Sequence, residues 1–136
     1  MSIVVLALLS GVLGCQPGIR WRGYSFDFVH RDAVRDNRLT FVYFRSPYSV
    51  QCTRFEDAVL SSPEVRAATE PLYCAVVDFG WDRELALRWG LTQAPSFALI
   101  SPAGEVLASG MGEMSARQVL DAIAIARERH AASAAR

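Results

Sequence analysis

The stretch that most constrains this chain covers residues 39–60, LTFVYFRSPYSVQCTRFEDAVL. Its first six residues, 39–44, are apolar and rich in β-branched and aromatic side chains, a composition that predicts a buried strand. Arg45, Ser46 and Pro47 break the run. From Cys52 onward the apolar residues Cys52, Phe55, Val59 and Leu60 recur at helical spacing, with Thr53, Arg54, Glu56 and Asp57 between them. A buried strand therefore leads straight into a helix, and Tyr48, Ser49, Val50, Gln51 and Cys52 sit at the junction. A helix N-terminus carries free backbone N–H groups and a partial positive charge, which favours a thiolate there.

The rest of the chain sets limits on that core. Its 136 residues suffice for one domain, and 51% hydrophobic content is that of a globular protein rather than a disordered one. Fourteen arginines balance fourteen acidic residues with no basic run, which argues against nucleic acid as a partner. Residues 1–14, MSIVVLALLSGVLG, are too short an apolar segment to span a bilayer comfortably and fit a signal-peptide core. Val12-Leu13-Gly14-Cys15 resembles a bacterial lipobox, which implies export to the cell envelope or periplasm and a membrane anchor through lipid on Cys15. The absence of Lys or Arg before the apolar core disagrees with that reading, and an N-terminal apolar helix that packs against some other surface is the alternative.

In chain order, residues 15–23 read as a linker containing Pro17 and Gly18, and residues 24–130 as the domain. Ser25 caps a helix with an apolar stripe of Phe26, Val29, Ala33 and Val34, ending near Asn37. His30 on this helix has no ligand set near it in sequence. After the Cys52 helix, Ser61, Ser62 and Pro63 end one helix and start another over residues 63–69. Residues 72–78 form a second buried strand, parallel to the first because a helical crossover joins them. Asp82 caps a helix to Trp89, and Gly90 follows it. Residues 96–100 and 105–108 form a hairpin across a short turn at 101–104. Ser115 and Gln118 are a capping-box pair for a last helix, and residues 131–136 read as a fraying tail.

The junction resembles the active-site segment of the thioredoxin superfamily: a strand, an aromatic residue, Cys-x-x-Cys, then polar residues and a Glu. Tyr48 stands where the family has Trp, Cys52 falls on the second cysteine, and Thr53-Arg54-Phe55-Glu56 follows. Trp21 and the helix after it match the family's lead-in. Gly90 and Pro95 match the spacing before the family's cis-proline, which faces the cysteine motif. The resemblance covers about residues 21–128 and implies an α/β thioredoxin fold, a central mixed sheet of about four strands flanked by helices. It departs at the first cysteine, which is Ser49, and at a buried acid that is here Tyr43.

That departure bears on the chemistry. A dithiol cycle needs one thiol to attack a disulfide and a second to resolve the mixed disulfide, and serine does neither at neutral pH. Three readings stay open. The favoured one is a non-cycling, redox-inactive binding domain. Its groove, at Tyr48, Val50, Gln51, Ala94, Pro95 and the edge of residues 96–100, holds an extended peptide of a protein thiol or disulfide partner. The alternative is a monothiol oxidoreductase in which Cys52 forms mixed disulfides or a sulfenic acid. In the third, Cys52 is a buried structural thiol. No cofactor is implied. Two histidines and two cysteines at positions 30, 52, 74 and 130 lack metal-ligand spacing. Cys74 opens its strand at the end of the sheet opposite Cys52, so no bridge joins them. Asp78 ends that strand on the Cys52 side. Trp21, Trp81 and Trp89 read as packing residues.

Overall fold

Central strands buried along nearly their whole length organise the structure, a computed structural model that describes residues 18–135. Among the described residues there are five strands: β1 Trp21–Gly23, β2 Thr40–Arg45, β3 Tyr73–Asp78, β4 Ser96–Ile100 and β5 Val106–Met111. The helices are α1 Phe26–Asp36, α2 Val50–Phe55, α3 Pro63–Thr69, α4 Arg83–Arg88 and α5 Ala116–Ala134, and a π-helical turn at Glu56–Leu60 prolongs α2. The sheet order is β1-β3-β2-β4-β5, with β2 parallel to β3 and antiparallel to β4.

The centre of the sheet is buried on both faces, as continuous apolar strands require. Phe41, Tyr43, Phe97 and Leu99 point to one side, where they meet Phe55, Val59, Leu60, Val119 and Ile123. Val42, Phe44, Ala98 and Ile100 point to the other, against Phe26, Val29, Leu85 and Leu91. Each large side chain removed from water in this way contributes about 1.5–3 kcal/mol before the entropy of ordering it.

Local signals place the helices. Ser25 accepts from the Phe28 N–H and Asn37 closes α1 in the left-handed region at φ 51°. Ser115 and Gln118 form the reciprocal cap of α5. Val34 does not join the α1 stripe, being about half exposed. His30 stacks on Phe26, and its Nδ1 lies 3.2 Å from Thr40 Oγ1. Desolvation lowers the His30 pKa, partly offset by Asp27.

Four differences from the sequence reading follow from packing. Trp21–Gly23 lies in the segment read as linker, yet it pairs in parallel with β3 and adds a fifth strand. β5 runs on to Met111, past Gly110, where the sequence reading ends it at residue 108. A Cβ on Gly110 would come within 2.7 Å of both the Phe97 ring and Met114 Sδ, so the strand passes there only as glycine. Helix α5 continues to Ala134 through the segment read as a tail. Strand β4 lies between β2 and β5, so residues 96–100 offer no free edge to a peptide.

Candidate functional site

β2 ends at Arg45, and the chain turns through Ser46 and Pro47 into α2. Ser49 is the N-cap of α2, and its Oγ accepts from the Cys52 N–H at 3.2 Å. The Cys52 side chain is fully buried, and the Ser46 N–H points at its Sγ at 3.4 Å. Tyr48 adopts φ +66°, a left-handed conformation that costs a non-glycine residue about 1–3 kcal/mol. Its ring is wholly exposed, and Val50 beside it is 64% exposed. The turn thus hides its thiol and displays its aromatic ring.

The proline expected to face this turn lies at the same end of the sheet. Ser96 pairs with Phe44, which sets Pro95 level with Arg45, one residue before the turn. The Ala94–Pro95 bond is cis, Pro95 is buried, and its carbonyl accepts from the Gly112 N–H at 2.9 Å. Ala94 is half-buried and Gln51 exposed. With β4 enclosed, the backbone just before Ser96, at Gln93 and Ala94, is what remains for strand-like contacts.

Beneath the turn lies a polar group that the sequence reading missed. The Tyr43 hydroxyl donates to Glu56 Oε2 at 2.8 Å, and the Arg45 guanidinium reaches both Glu56 oxygens at 3.3 and 3.4 Å. Burial first, then Glu56 and the nearby Cys52, push the Tyr43 phenol above its ordinary pKa. The missed signal was a tyrosine in a buried strand, since its hydroxyl must find a partner. Glu56, one helical turn after Cys52, supplies it.

The other cysteine among the described residues lies elsewhere. Cys74 pairs with Phe41, toward the start of β2, whereas Cys52 follows the end of β2. Both are free thiols. Burial pushes the Cys74 thiol up to about 12.

No family model matches the sequence, and no curated protein matches it. Solved structures do match. A thioredoxin from Thermus thermophilus superposes with a TM-score of 0.72 at 24% identity, over 84% of this chain and 92% of that one. DsbH oxidoreductase gives 0.68 at 19% identity, over 82% and 86%. The chain has the thioredoxin fold. The C-terminal domain of Neisseria meningitidis DsbD in its oxidised form also matches, with a TM-score of 0.58 at 16% identity, over 70% of this chain and 90% of that one. Within the thioredoxin fold, the turn from Ser46 to Cys52 and the cis Pro95 occupy one end of the sheet, as the resemblance implies. Cys15 lies outside the described residues, as does the rest of the segment read as a signal. Among the described residues no helix is long and apolar enough to cross a membrane.

Proposed function

We propose that this thioredoxin-fold domain binds an extended segment of a protein partner at the turn between Tyr48 and Cys52 and the backbone before Pro95, without cycling between dithiol and disulfide. The observation that carries the reading is the contrast within one turn: Cys52 is fully buried, while Tyr48 is wholly exposed on a strained backbone. Strain of that kind persists where it presents a group for use. Ser49 acts as a helix cap rather than as a nucleophile. The lipobox-like segment supports export, with Cys15 as the lipidated anchor in the cell envelope.

A second reading has one observation in its favour. The Ser46 N–H aimed at Cys52 Sγ is a donor that would stabilise a thiolate, and this supports a monothiol oxidoreductase acting through mixed disulfides. Binding to a reduced, carboxymethylated polypeptide, which has no thiols to exchange, separates the two. Binding by the Cys52→Ala variant should equal that of the native protein, and Tyr48→Ala should weaken it by about ten-fold, the scale of an exposed aromatic anchor. No binding of the carboxymethylated polypeptide by the native protein, or equal binding by Tyr48→Ala, would contradict the binding reading.

A further inference from the structure

A second cleft, of about 630 Å³, opens at the same end of the sheet but uses none of the residues of the Tyr48 turn or the Pro95 loop. Tyr24, from the connection between β1 and α1, and Trp81, from the connection between β3 and α4, both line it. These rings are 84% and 91% exposed, so neither contributes to the core. Trp81 was read from sequence as a packing residue. Trp21 and Trp89 do pack, the first on Tyr43 and the second on Phe26 and Phe44, but Trp81 does not.

The charges around these rings are uneven. Asp78 Oδ1 accepts from the Gly80 and Trp81 N–H groups at 2.8 and 3.2 Å, which fixes the backbone that carries the indole. Asp82 holds the N-cap position of α4, but its side chain makes no cap hydrogen bond, contrary to the sequence expectation. Its carboxylate lines the cleft with no hydrogen-bond or ion-pair partner among the described residues. The one cation lining the cleft, Arg45, is already engaged by Glu56. The wall therefore offers two aromatic faces and an uncompensated negative charge.

Aromatic faces beside a free carboxylate favour a flat cation. A guanidinium stacks on the rings and pairs with the carboxylate through two parallel donors, which an ammonium cannot do. The chain already uses stacking of this kind, with the Arg22 guanidinium 3.5 Å above the Tyr73 ring and that of Arg31 5.6 Å from the centre of the Phe28 ring. Among the described residues no cation lies over Tyr24 or Trp81. We propose that the cleft between Tyr24 and Trp81 binds an arginine side chain presented by a partner polypeptide, with Asp82 as its counter-ion.

The test is a titration of the full-length chain with the peptide acetyl-Gly-Arg-Gly-amide, followed by the tryptophan indole N–H resonances. The Trp81 resonance should shift saturably, while those of Trp21 and Trp89 hold still and report an intact fold. A peptide with citrulline in place of arginine, the same shape without the charge, should produce no shift. Asp82→Asn and Tyr24→Ala change exposed or half-exposed side chains, and each should weaken binding by about five-fold or more. An equal response to citrulline, no saturable Trp81 shift at the solubility limit of the peptide, or unchanged affinity in Asp82→Asn would each overturn the proposal.

Discussion

A Ser49→Cys variant should form a disulfide with Cys52 when treated with oxidised glutathione and lose it again under dithiothreitol. Ser49 Oγ lies 3.2 Å from the Cys52 backbone nitrogen, and the two residues are three apart across the first turn of α2. Side chains at that spacing have Cβ atoms about 5–6 Å apart in a regular helix, and a small adjustment of the cap brings them to the about 3.5–4.5 Å that a bridge needs. Two thiols lose two hydrogens, and glutathione disulfide takes them up to become two glutathione thiols. The native protein has one thiol in this turn and gives no such product. The effect is all or nothing, and peptide mass mapping after alkylation reads it. The reduced variant should be less stable by about 1 kcal/mol, because a thiol caps a helix worse than a hydroxyl. If the introduced thiol remains free after oxidation, the equivalence of Ser49 with the family's first cysteine is wrong.

Phe41→Ala should destabilise the folded state by about 3–5 kcal/mol, a large part of the about 5–15 kcal/mol that holds a domain together. Phe41 is fully buried in the central strand, its ring stacked on Phe97 at 5.6 Å and tilted against Trp21 at 6.4 Å. Truncation opens a hole between the sheet and the helical layer formed with α5, and neighbours fixed in β1 and β4 cannot close it. Urea unfolding should show a lower midpoint with an unchanged slope. A loss below about 1 kcal/mol would mean that the neighbouring side chains collapse onto the vacancy.

The legible parts of this chain were those written in local chemistry. Ser25 and Ser115 each announce a helix start, and each accepts the expected backbone hydrogen bond. The apolar run before Arg45 and the break at Ser46 and Pro47 locate the central strand and the turn that holds Cys52. What escaped sequence reasoning depends on partners distant in the chain. Trp21–Gly23 is too short to show a strand pattern and is a strand only because β3 is there to pair with it. Gly110 reads as a loop residue until the Phe97 ring, thirteen residues earlier, is seen to fill the space a side chain would take. Tyr43 and Glu56 read separately as core aromatic and helix surface, and their hydrogen bond exists only because α2 folds back over β2. Trp81 shows the opposite failure: a large aromatic residue suggests core, but the turn fixed by Asp78 carries it out into solvent.

The measurement that bears most directly on the proposed function is the rate at which Cys52 is alkylated in the folded chain, with the products mapped by peptide so that Cys15 and Cys74 are scored separately. A thiol with no exposed surface beneath a capped helix start should react slowly across the neutral range and quickly once urea unfolds the chain. That result supports a binding domain whose turn displays Tyr48 and shields its sulfur. Rapid labelling of Cys52 in the folded protein, rising with pH ahead of an ordinary thiol, would contradict it and assign the turn to monothiol chemistry.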